Sequence, residues 1–211
     1  MNGTKIVLSK EELELVTNAE WILTKNRIIQ KAKELLAGVQ TELQTSLALQ
    51  ESLPREVFLS GPKISKGENY RGLPWLILDY PRHFEKTDSF ALRNFFWWGN
   101  FFSTTLYLSG RFKSHCHSAL AASFEILRKE QFSICVNDDP WEHHFESGNY
   151  LALVDTDSGL FERLLSVKPF VKIAKRFSLQ RWDEAAREMS DASTALIKTA
   201  GFSYQGGEKD L

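Results

Sequence analysis

The stretch Arg93-Asn94-Phe95-Phe96-Trp97-Trp98-Gly99-Asn100-Phe101-Phe102-Ser103-Thr104-Thr105-Leu106-Tyr107-Leu108 decides the fold. Two runs of aromatic, aliphatic and β-branched residues flank Gly99-Asn100, and Gly supplies the positive φ that a tight turn needs. The segment therefore predicts an antiparallel hairpin with a two-residue type II′ turn. Alternation along each strand puts Phe96, Trp98 and Phe102 on one side and Phe95, Trp97 and Phe101 on the other. Rings on both faces require cover on both, or leave one face as a binding surface.

The aromatic excess is local. Of 26 Phe, Trp and Tyr residues in the chain, 13 fall within the 43 residues 70–112, which places the centre of the core there. Just upstream, Leu73-Pro74-Trp75-Leu76-Ile77-Leu78 is a continuous apolar run and predicts a buried strand, closed by a proline turn at Asp79-Tyr80-Pro81-Arg82. Residues 53–72 are rich in Gly, Pro, Ser and Lys and predict loops with short strands at 57–60 and 63–66.

Further upstream the period changes. Ser9 with Glu12, and Thr17 with Glu20, have the spacing of capping boxes, predicting a short helix over 10–16 and a long one to about Gln50. Ile22, Ile29, Leu36 and Leu43 recur every seven residues along the long helix. At a rise of about 1.5 Å per residue it would be roughly 48 Å long. Either it lies across the whole sheet, or its stripe is a seam with a second copy of the chain, although Gly38 weakens a strict heptad.

Downstream of the hairpin, a helix over 115–129 carries Cys116, Leu120, Phe124 and Leu127 on one face, and a strand over 132–136 follows. That strand, helix, strand order permits a parallel crossover. Further elements are a strand at 150–154, a short helix near 160–166, a half-exposed strand over 170–177 and a last helix over 179–199 that stops before Gly201. The expected fold is α+β: a mixed, mainly antiparallel sheet with an aromatic-rich central hairpin, covered by the long N-terminal helix, the crossover helix and the C-terminal helix. It is expected to be one domain over 1–211, with a helical segment at 1–52 and a sheet-containing body at 53–211.

Charge and composition exclude several roles. The net charge is −1, and residues 1–105 carry 13 basic and 12 acidic side chains against 13 and 15 in residues 106–211, so neither half has the basic excess that nucleic acid selects. No apolar run approaches a membrane span, and the N-terminus has too short an apolar run for a signal peptide. Two cysteines in a chain of this length need no disulfide framework. Together these features predict a cytoplasmic protein.

Three segments could carry chemistry. The first is Ser109-Gly110-Arg111-Phe112-Lys113-Ser114-His115, read as a loop entering a helix capped by Ser114, where free backbone N–H groups with Arg111 and Lys113 could hold an anion. The second is a histidine cluster, His115, His117, His143 and His144, with Asp138 nearby. Such ligands suit a divalent cation and a metal-dependent hydrolase, but the spacing matches no preformed metal motif. The third is the aromatic hairpin itself. Trp97 and Trp98, with Arg82, Arg93 and Arg111 near the strand ends, would suit a small apolar or aromatic anionic ligand or a protein partner. The same arginines could instead pair with Asp79, Glu85 or Asp88.

Overall fold

The computed structural model describes residues 6–48, 50 and 52–202. Its elements are α1 (Lys10–Thr17), α2 (Ala19–Leu47), α3 (Glu56–Leu59), β1 (Lys63–Tyr70), β2 (Leu73–Phe84), β3 (Ser89–Trp97) and β4 (Phe101–Ser109). They continue with α4 (Gly110–Ala122), α5 (Phe124–Lys129), β5 (Ser133–Cys135), β6 (Tyr150–Ala152), α6 (Ser158–Val167), β7 (Phe170–Ser178) and α7 (Ala185–Thr199). The fold is α+β, with one seven-stranded sheet in the order β1-β2-β3-β4-β7-β5-β6.

The hairpin forms as its pattern dictates. Phe96 pairs with Phe102 and Trp97 with Phe101, so the two sets of rings point to opposite faces. The turn spans three residues, because Trp98 stays outside the ladder and the Asn100 N–H donates to the Trp97 carbonyl at 3.1 Å, with Gly99 at φ +71°. Every neighbouring strand pair is antiparallel. The strand, helix, strand unit from β4 to β5 does run in one direction, but β7 fills the slot between them and pairs with both.

On one face, Leu92, Phe96, Phe102, Leu106 and Ile173 join helix residues such as Leu36, Leu43, Phe112, Phe161 and Met189 in a single cluster. Among the described residues, no helix packs on the opposite face. Its apolar groups form two smaller clusters, Ile77, Phe95, Trp97 and Phe101 in one, Cys135, Tyr150, Phe170 and Ala174 in the other, and Phe145 from the irregular segment 136–149 packs against both. That segment, rather than a helix, is what covers the second face.

Several local expectations are corrected. Pro81 does not end a strand: β2 continues to Phe84, with a register shift between Asp79 and Arg82. The missing proline N–H falls at an irregularity in the ladder. Residues 56–59 form a helical turn instead of a strand. Asn18 takes the cap of α2 by accepting from the Trp21 N–H at 3.3 Å, while Thr17 closes α1. The capping box of Ser9 and Glu12 forms in full.

The seven-residue stripe of α2 divides in two. Ala32, Leu36, Val39 and Leu43 have no exposed surface, whereas Ile22 is 52% exposed. The core takes up the helix from Ala32 onward with Ile29 packed against it, and further upstream Trp21 meets Trp98 and Lys25 pairs with Glu68 of β1.

Candidate functional site

The helix-free face has a cavity of about 360 Å³ between the sheet and the segment 136–149. Ile77 of β2 and Phe95 of β3 form its floor, Tyr70 and Trp75 its side, and Trp141 and His143 its roof. Gly67 makes the side wall possible, since a Cβ at that position would lie 2.5 Å from the Trp75 indole. The β-period of two puts Ile77 and Asp79 of β2 on the same face as Arg93 and Phe95 of β3. The ladder then sets Asp79 opposite Arg93 and Ile77 opposite Phe95.

A bidentate ion pair closes one end. Arg93 Nε donates to Asp79 Oδ1 at 2.7 Å and Nη2 to Oδ2 at 3.0 Å, with the two side chains 13% and 11% exposed. Arg93 Nη1 also lies 3.4 Å from His143 Nε2. A guanidinium only donates, so Nε2 accepts and the proton of the neutral ring is on Nδ1. Trp141 stacks over the guanidinium at 5.6 Å. Arg93 therefore has a matched counter-charge, and the cavity as built is close to electroneutral.

The roof is pinned at its middle. Tyr70 Oη donates to Glu142 Oε2 at 2.8 Å and accepts from the backbone N–H groups of His143 and His144 at 2.7 and 3.1 Å. Burial is the main reason its hydroxyl is pushed up to about 12. Lys172, 2% exposed, donates to the Glu142 carbonyl at 2.6 Å, and burial pushes it down to about 8. At the segment's ends, Lys168 donates to the Val136 carbonyl and to Asp138, and Arg71 bridges to Glu146.

Desolvation, then the positive charges of Arg93 and Lys172 and neighbouring His144, hold His143 well below its ordinary value of 6.5. The unfolded chain therefore takes up this proton first as the pH falls. Stability attributable to a neutral His143 is complete above about 6.5 and is lost as the pH drops towards the lower folded-state value. Melting temperature is expected to fall on mild acidification below about pH 6.5, with a shallower slope in His143→Gln. Equal slopes in the two proteins would contradict this assignment.

The structure redistributes the other residues named from the sequence. Of the hairpin set, only Arg93 lines the cavity. Trp97 packs behind it against Tyr70 at 4.9 Å, and Trp98 lies on the helix-covered face against Trp21 and Phe96. Arg82 donates to the carbonyls of Ser60 and Gly61, so it braces α3.

The anion loop is absent as a loop. Ser109 stands at the helix cap, α4 begins at Gly110, and the Arg111 N–H donates to Asp88 Oδ1 at 2.8 Å, so an internal carboxylate already holds that helix end. Arg111 pairs with Glu56 and Asp88 and lies over Phe112. Lys113 donates to the carbonyls of Ser166 and Lys168, and Ser114, inside the helix, donates back to the Gly110 carbonyl.

The histidines do not assemble. His115 stacks on Phe202 and His117 faces Ser166, both from α4, while His143 and His144 belong to the roof on the opposite face. His144 Nδ1 accepts from the Glu146 N–H at 3.3 Å, and its Nε2 lies 3.4 Å from Glu142. Asp138 is engaged by Lys168. Among the described residues no group of three or more His, Cys, Asp and Glu is placed to hold a metal ion. Both free cysteines are buried, and burial pushes Cys116 up to about 12, which removes it as a thiolate nucleophile.

Sequence reasoning missed Trp141 altogether as a site residue. The available signal was a stretch of more than ten residues, 136–149, without periodicity yet carrying Trp141 and Phe145, since long loops in compact domains are commonly functional. Comparison with protein-family models, with curated proteins and with solved structures finds no match to this chain. Among the described residues, no helix is long and apolar enough to cross a membrane.

Proposed function

We propose that the chain is a single binding domain for a small, planar, uncharged ligand of one or two aromatic rings, held between Phe95 and Trp141 under the segment 136–149. The observation that carries the reading is the cavity itself, of about 360 Å³, aromatic on floor, side and roof, with one polar end. Its size and mixed lining are those of small-molecule sites. Arg93 uses three of its five N–H groups on Asp79 and His143. The two that remain can donate to a ring nitrogen or carbonyl of the ligand.

A carboxylate is a poorer match than the hairpin arginines suggested, because Asp79 would repel it while competing for the same guanidinium. Two buried free thiols fit a reducing compartment, in keeping with a cytoplasmic location. The test is a fluorescence and melting-temperature screen of indole, benzimidazole and quinoline beside benzoate and naphthoate. The uncharged rings are expected to quench tryptophan emission and raise the melting temperature, and Trp141→Ala to weaken binding at least tenfold. Binding of the carboxylates alone would overturn the charge assignment. Unchanged affinity in Trp141→Ala would overturn the location.

A further inference from the structure

Upstream of Trp21 the chain leaves its own core. α1 has no buried residue, and nine large apolar side chains between Ile6 and Leu23 are exposed, out of sixteen on the whole described surface. The other seven are spread from Leu59 to Val167. A helix of eight residues gains nothing from packing when no side chain is buried, and isolated helices of that length are marginal in water. The concentration of apolar surface also exceeds the scattered exposure that needs no explanation.

The sequence pattern points to the same region. In sequence the recurrence of Ile22, Ile29, Leu36 and Leu43 continues upstream as Leu15 in α1 and Leu8 just before it, with the non-helical Asn18 between the two helices. The downstream half of the recurrence is consumed by the core from Ala32 onward, Ile29 is partly buried against that core, and Leu8, Leu15 and Ile22 are uncovered.

Charge identifies the occupant. α1 carries Glu11, Glu12 and Glu14 against Lys10, while the first half of α2 carries Lys25, Arg27, Lys31 and Lys33 against Glu20 and Glu34. Among the described residues Glu11, Lys31 and Lys33 form no ion pair. One copy thus presents an acidic α1 followed along the chain by the exposed, unpaired Lys31 and Lys33 of α2, while Lys25 and Arg27 are already paired with Glu68 and Glu20. That arrangement is self-complementary across a two-fold axis, which sets each α1 against the partner's α2. The acidic α1 would be repelled by an anionic lipid surface.

We infer that α1 and the exposed end of α2 form the seam of a homodimer. Light scattering of the full chain at tens of micromolar is expected to give twice the 24.2 kDa of one copy. The double variant Leu15→Glu, Ile22→Glu should return a single-copy mass with an unchanged far-ultraviolet spectrum, since each side chain is already 52% exposed within its own fold. Leu160→Glu, on an exposed site outside the seam, should leave the dimer intact and controls for a general effect of added charge. Glu11→Lys should weaken association at least tenfold at low salt and much less at high salt. A single-copy mass for the unaltered chain would overturn the proposal, as would a dimer that survives the double variant. Binding of a monomeric chain to phosphatidylcholine vesicles would assign the apolar surface to lipid and would equally overturn it.

Discussion

Asp79→Ala is expected to lower the unfolding free energy by about 3 to 5 kcal/mol, the range found when one partner of a buried ion pair is removed. The loss exceeds what the pair itself contributes, because it leaves Arg93 buried beside a histidine that cannot supply negative charge. The rescue is specific. Adding Arg93→Met removes the stranded charge and replaces it with an unbranched apolar chain, so the double variant should recover most of the loss, buried pairs being of little net benefit against apolar substitutes. Urea midpoints for the single and double variants provide the measurement. A loss below about 1 kcal/mol in Asp79→Ala would mean that water reaches Arg93 freely, and the cavity would then be an open surface.

Phe96→Ala is expected to cost about 3 to 5 kcal/mol, through lost transfer energy and the cavity left behind. Phe96 is 1% exposed and its ring meets Phe102 at 5.3 Å and Trp182 at 5.8 Å, between the sheet and its helices. Phe95, its neighbour on the other face, is equally buried but lines the cavity. Its ring meets Tyr70, Phe101 and His143 but borders the cavity, into which the space vacated in Phe95→Ala would open, so that variant should cost less while weakening ligand binding more. Thermal unfolding of both variants tests the order, with roughly 2 to 4 °C expected per kcal/mol in a chain of this size. A larger loss in Phe95→Ala would contradict the assignment of the two faces.

These two adjacent phenylalanines also show what a sequence can and cannot reveal. Their opposite directions follow from the period of a strand, which is why the hairpin, its two faces and the α+β class are legible in the sequence. The period says that a face is covered and not by what. Phe95 could have faced a helix as readily as the segment 136–149. The same limit applies to α2, where one unbroken stripe turned out to be core at Leu36 and solvent-exposed at Ile22.

Features fixed by distant residues were illegible. α4 begins at Gly110 because Asp88 accepts from the N–H of Arg111, 23 residues later and in the first turn, a contact that no local capping rule contains. β5 fails to pair with β4 because β7, supplied much later in the chain, takes the position between them. At the site, Arg93 stood out as an arginine among aromatics, and Asp79 was visible only as one of several acids that could pair with it. The histidines misled in the opposite direction: proximity in sequence suggested a cluster, yet His115 and His117 ride on a helix behind the sheet and His143 and His144 lie in front.

Binding of a planar, uncharged ring system under the roof of the helix-free face is open to direct observation. Its most direct test is a nitrogen-proton correlation spectrum of the labelled chain titrated with indole and benzimidazole. Binding there should give saturable shifts of the Trp75 and Trp141 indole signals and of backbone amides at Ile77, Phe95 and His143, with Trp98 unmoved. Shifts centred on other residues, or none with either probe, would contradict it.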